Sequence, residues 1–151
     1  MFGAPDVDKL AAKGDVAGLI KATKYKKDAA VREAAAAALV PHTDDLVRML
    51  VMQDQQAKEA FKETGKYPAL ATAQQMFTMD GLVAIGSPAV RPLLNAYAAN
   101  GGTGYLTYQS ILTRARGIDP QLRAALEDSD PRIQELVNDC LDVRAERGLG
   151  D

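Results

Sequence analysis

The chain contains no tryptophan, one cysteine and one histidine, and each shortage excludes a class of protein. A single cysteine, Cys140, cannot form an internal disulfide, so we expect a reducing, cytoplasmic location and a buried thiol that acts as a small hydrophobic side chain. A single histidine, His42, excludes any metal site built from several histidines. We therefore expect neither a metal nor another cofactor.

Long hydrophobic runs and an excess of positive charge are also missing. No apolar segment approaches the about 20 residues that a membrane-spanning helix needs, and the N-terminal MFGAPDVDKL has no signal-peptide pattern. With 18 basic and 20 acidic residues the net charge is -2, which supplies no overall attraction for phosphate backbones. We expect a soluble protein whose partners are proteins or peptides and not membranes, and the charge weighs against nucleic acids.

What is present is an ordinary globular composition with alanine prominent in its apolar part, which favours closely packed helices. Glycine, proline and capping residues divide the chain into short helical segments. No segment shows the sustained alternation of apolar and polar residues that is typical of a strand. The candidate N-caps are Asp6, Asp15, Thr43, Ser87, Asp119 and Ser129. The predicted helices are 6–13, 15–24, 28–40, 43–64, 68–85, 87–99, 103–116, 119–127 and 129–147. The fourth has no glycine or proline and should be one long unbroken helix.

A repeat connects distant parts of the chain. The layout from Asp28 to Leu39 recurs from Asp130 to Leu141, an offset of 102 residues, or three units of 34. Residues 29–39 are apolar on nearly all sides, which predicts a helix with neighbours on both sides, whereas the last helix has a single apolar stripe. We predict an all-α protein, an α-α superhelix (solenoid) of about four helix pairs in one domain spanning 1–151.

Residues 79–94 carry a family resemblance. Ile85-Gly86-Ser87-Pro88 begins a helix with Val90, Leu93 and Leu94 on one face, and this pattern resembles the HEAT-like repeats of the phycobilisome-lyase type, in the armadillo-like helical superfamily. Residues 15–21 and 28–39 are similar to other helices of that repeat, while 43–78 and 100–117 fit poorly. The resemblance implies a fold of stacked helix pairs that mediates protein–protein contact.

The same resemblance raises alternatives. Some proteins with these repeats attach bilins to other proteins and one branch is a di-iron hydroxylase, but the His-Glu pairs of that branch are absent and no catalytic residue transfers. We expect a non-catalytic scaffold that binds a protein or peptide on a helix-lined surface. A lyase-like or accessory subunit that handles a small ligand or chromophore is the alternative, and a nucleic-acid-binding helical repeat is the third.

Charge is unevenly distributed along the chain. No acidic residue occurs between Gly81 and Ile118, whereas the segment from Asp119 to Asp151 has four arginines and nine acids. Arg91, Arg114 and Arg116 give this stretch a charge of +3, and tyrosine and arginine are enriched at interface hot spots. A plain solvated face is the usual interpretation of such surface charge, and a site for an acidic partner is the hypothesis weighed against it. A second basic cluster, Lys21, Lys24, Lys26 and Lys27, is interpreted as a solvated corner. The candidate partner-binding residues are Arg114, Arg116, Tyr105 and Arg91.

Overall fold

The computed structural model describes residues 3–66 and 69–150, with the side chains of 69–71 excepted. Within these ranges every regular element is a helix, which confirms the predicted all-α class. A 3-10 turn, Val40–His42, joins α3 to α4. The helices are α1 (Val7–Ala12), α2 (Val16–Ala22), α3 (Ala29–Leu39), α4 (Thr43–Thr64), α5 (Ala69–Ile85), α6 (Ser87–Ala99), α7 (Tyr105–Arg114), α8 (Asp119–Ala125) and α9 (Pro131–Glu146). Residue 68, the predicted start of the fifth helix, lies outside the described residues.

Aspartate starts several of these helices, because its carboxylate accepts a hydrogen bond from a backbone N–H that has no partner within the helix. Asp6 and Asp15 cap α1 and α2 as predicted. Asp28 caps α3 and Asp130 caps α9, and in both the Oδ1 atom accepts from the N–H two residues later at 2.9 Å. The two segments of the predicted repeat therefore begin with the same local structure.

The other predicted caps are wrong. His42, Gly86 and Ile118 precede α4, α6 and α8, so Thr43, Ser87 and Asp119 are the first residues of those helices. The Thr43 hydroxyl instead donates to the carbonyl of Val40 at 2.6 Å, because the 3-10 turn runs directly into α4. Capping of α9 belongs to Asp130, and not to Ser129.

The fourth helix is unbroken over 22 residues, as predicted, and at 1.5 Å per residue it is about 33 Å long. It ends at Gly65, which adopts the left-handed conformation with φ 71°. Leu46 and Leu50 in its first half are buried, whereas beyond Val51 only Ala57 is buried. The second half of α4 is therefore mostly exposed. Among the described helices, none is long and apolar enough to cross a lipid bilayer.

The core extends from Leu19 in α2 to Cys140 in α9 and is formed by helix-on-helix packing. Small residues permit close approach: a Cβ added at Gly81 of α5 would lie 2.9 Å from the Cδ1 atom of Ile20 in α2, closer than side chains tolerate. The full burial of Cys140 confirms the prediction that its thiol belongs to the apolar stripe of the last helix.

Helix α3 contacts α1, α2 and α5, but it is not buried on all sides. Only Ala35 and Leu39 of this helix are buried, and Ala29, Ala30 and Ala37 are exposed. Alanine is apolar but also the strongest helix former, so a run of alanines can satisfy helix propensity on a solvent-facing side without indicating burial. The alanine run of α3 therefore did not indicate burial on every face of the helix.

The most buried charged group is the guanidinium of Arg144 in α9, which has no exposed surface. Its Nε donates to Oδ1 of Asp119, itself only 2% exposed, at 2.7 Å. Its Nη1 donates to the backbone carbonyls of Leu112, at 3.3 Å, and Ala115. These bonds attach α9 to the end of α7 and to the turn that leads into α8, and they hold the residues on either side of Arg114 in place.

Candidate binding groove

Three helix-to-helix turns meet at one edge of the molecule and enclose a groove with a volume of about 480 Å³. Thr23 and Lys24 come from the turn after α2, residues 85–87 from the turn after α5, and Arg114 and Arg116 from the end of α7 and the turn after it. The side chains of Asp80, Val83 and Ala84 in α5 complete the lining. We call this the basic groove.

One carboxylate joins two walls of the basic groove. Asp80, with 18% of its side chain exposed, accepts hydrogen bonds from Lys24 through Oδ2 and from Arg114 through Oδ1, the latter at 2.6 Å. Lys24 and Asp80 are 56 positions apart in the chain, and Asp80 and Arg114 are 34 apart. The carboxylate therefore holds two cations from different turns on either side of itself.

Two further groups in the basic groove have no hydrogen-bond or ion-pair partner among the residues that the structure describes. Arg116 is exposed, and its guanidinium makes no ion pair or hydrogen bond with any residue that the structure describes. The hydroxyl of Ser87, the first residue of α6, likewise makes no hydrogen bond within the described ranges. Three cations against the single carboxylate of Asp80 leave the groove with a formal charge of +2.

Backbone packing places Arg116 at the rim of the basic groove. Gly86 has a positive φ of 74°, a conformation that side-chain-bearing residues rarely adopt, and a Cβ there would lie 3.6 Å from the carbonyl oxygen of Arg116. The turn after α7 thus lies directly against the turn after α5. Since Arg144 also binds the carbonyl of Ala115, the residue before Arg116, that turn is held from both sides.

Two of the four predicted partner-binding residues line the basic groove. Arg114 and Arg116 line the basic groove, but Arg91 and Tyr105 do not. Arg91 pairs with Asp128 at 3.0 Å.

Tyr105, a predicted partner-binding residue, is half-buried. Its hydroxyl donates to Asp139 of α9, and its ring centroid lies 6.4 Å from that of Tyr97. Burial, followed by the hydrogen bond to Asp139, raises the pKa of the Tyr105 hydroxyl well above its ordinary value. Asp139 and Asp128 of the acidic C-terminal segment thus contact Tyr105 and Arg91 of the acid-free stretch, and Asp128 neutralises the charge of Arg91.

Lys24 and Asp80 belong to the groove but were not predicted to belong to it. Lys24 was placed in a solvated basic corner, and Asp80 lies one position before the acid-free stretch that begins at Gly81. No local pattern joins them, because their contact depends on how α2 packs against α5. Arg144 had a detectable signal, since it continues the buried stripe of α9 four residues after Cys140.

An apolar depression of about 290 Å³ lies elsewhere, between α2, α4 and α5. Ile20, Leu46, Met49 and Phe77 line it, and Met49 has 40% of its surface exposed. It differs from the basic groove in carrying little charge. The described residues contain no group of three or more His, Cys, Asp or Glu side chains that is arranged to hold a metal ion.

Comparison with known proteins returned no match: no protein-family model, no curated protein and no solved structure is significantly similar to this chain.

Proposed function

We propose that this protein is a non-catalytic protein-interaction domain that binds an acidic segment of a partner in the basic groove. The observation that carries the proposal is the +2 charge of that groove, in which the exposed guanidinium of Arg116 has no partner among the described residues and lies beside the Lys24–Asp80–Arg114 cluster. Arginine is enriched at interface hot spots, and cations held by fixed partners lose little freedom when a ligand binds.

The location of the charge favours a short protein segment over a nucleic acid. A nucleic-acid reader needs a row of cations along the backbone of its ligand, whereas here three cations converge on one groove in a chain whose net charge is -2. On a protein with a net negative charge, a local positive field attracts an acidic segment of a partner to that one site.

We further propose that the helices form a HEAT-like solenoid in the cytoplasm. In support, the helices that share extensive contacts are never more than three places apart in the order α1 to α9, as expected when each repeat touches only its neighbours. The identical aspartate caps of α3 and α9 support the repeat that relates these two helices. In such an architecture, grooves form where successive turns line up along one edge.

Affinity capture from native cell lysate tests the proposed function when it compares matched charge reversals. Arg116→Glu removes the unpaired cation from the basic groove, and Arg147→Glu makes the same change at an exposed residue outside it. Arg114→Glu is less suitable, because it would also place a second carboxylate beside Asp80. We expect Arg116→Glu to lose partners that the parent and Arg147→Glu retain, with the parent's capture falling as salt rises. Equal capture by all three folded proteins would overturn the proposal.

A further inference from the structure

We propose that the basic groove receives a phosphoryl group, carried by a phosphorylated serine or threonine in the partner's segment. This inference rests on the proposed function and specifies its ligand. It follows from three properties of the groove, which are its charge, its set of hydrogen-bond donors and its size.

The charge matches a dianion better than a single carboxylate. Lys24, Arg114 and Arg116 contribute three positive charges, and Asp80 removes one. A phosphomonoester carries about -1.5 to -2 at pH 7, whereas a glutamate or aspartate side chain carries -1. Binding of a phosphorylated side chain therefore neutralises the groove, and one carboxylate would leave it positively charged.

The donors also suit a group with three acceptor oxygens. Guanidinium groups donate in a planar fork that matches the oxygens of phosphate, and Arg116 has its whole fork available. Arg114 gives only its Nη2 group to Asp80 among the described contacts, and the Ser87 hydroxyl is a further unpartnered donor. One carboxylate oxygen of Asp80 accepts from Lys24 and the other from Arg114, so Asp80 orients these two side chains without pairing with Arg116.

The size of the groove indicates a phosphate that is attached to a peptide. A volume of about 480 Å³ exceeds what one phosphoryl group fills and falls in the range of about 300–1,000 Å³ that is typical of ligand sites. Val83, Ala84 and Ile85 provide an apolar wall for the residues next to the phosphorylated one. A nucleic-acid phosphodiester carries a single charge and has neighbouring phosphates that this groove does not match with further cations.

The test uses three capped peptides, Ac-Ala-pSer-Ala-NH2 and its Glu and Ser counterparts, titrated into the ¹⁵N-labelled full-length protein and followed by NMR. We expect the phosphopeptide to shift the amide signals of residues 85–87 and 114–116 and to bind about tenfold or more tightly than the Glu peptide, since it makes at least one further charge-assisted hydrogen bond. Its affinity should fall below about pH 6, where the phosphate becomes a monoanion. Arg116→Glu should abolish binding, and Arg147→Glu should leave it unchanged.

Three results would overturn the inference. If the Glu peptide binds as tightly as the phosphopeptide and Arg116→Glu weakens both, the groove recognises acidic segments in general, so the phosphoryl inference fails and the proposed function stands. If the single-stranded oligonucleotide dT8 binds more tightly than the phosphopeptide, or if no probe shifts residues 85–87 and 114–116 and the lysate captures are also equal, both proposals fail.

Discussion

The buried pair of Arg144 and Asp119 provides the most quantitative prediction. Asp119→Ala removes the carboxylate that accepts from the Nε of Arg144 at 2.7 Å and leaves a guanidinium with no exposed surface and no counter-charge. Removing one partner of a buried ion pair costs about 3–5 kcal/mol, because the remaining charge loses both its partner and any access to water. For a domain of this size the midpoint of thermal unfolding should fall by about 6–20 °C.

Urea unfolding followed by circular dichroism at 222 nm measures this change. The matched control is Asp142→Ala, which removes an exposed carboxylate from the same helix as Arg144 and should shift stability by less than about 0.5 kcal/mol. The variant Asp119→Ala/Arg144→Met should be more stable than the sum of its single substitutions predicts, since neither charge is then left alone. A loss below about 1 kcal/mol for Asp119→Ala, the size of a surface pair, would refute the reasoning.

Three further predictions concern the core. Val90→Asp or Leu94→Asp should unfold the chain, because each places an unpaired carboxylate at a position that is at most 3% exposed, and a thermal melt within a few degrees of the parent would contradict this. Burial raises the pKa of the Cys140 thiol to about 12, so Ellman's reagent at pH 8 should react slowly with the native protein and rapidly in urea, and equal rates would disprove the burial. Burial, with a smaller contribution from the carboxylate of Asp54, raises the pKa of Tyr108 from 10.0 to about 12. The unfolded state therefore loses the Tyr108 proton at a lower pH than the folded state does. The stability that this difference provides is fully present below pH 10 and is lost between pH 10 and 12. Tyr108→Phe should flatten that part of the stability curve, and an unchanged slope would count against the assignment.

Much of the fold could be predicted because helix formation depends on near neighbours in sequence. Carboxylate caps such as Asp15, the glycine at position 65 and the apolar spacing of Leu46 and Leu50 all act within a turn or two of the residues they affect. The predicted helices 43–64 and 87–99 have the observed bounds, but Thr43 and Ser87 are not their N-caps. Which residue caps these helices depends on how the preceding turn approaches them, which capping preference alone does not reveal.

Composition and local spacing determined that this chain is all-helical and where its helices lie, because backbone hydrogen bonds and caps are satisfied within each segment. Tertiary packing alone decided the basic groove. Asp80 contacts Lys24 and Arg114 only after α2, α5 and α7 have packed together. Likewise, the charge of Arg91 is neutralised by Asp128 only in the folded state. Charge counted along the sequence cannot show such neutralisation, since Coulomb interactions depend on distance in space, and residues far apart in the chain become neighbours only in the folded state.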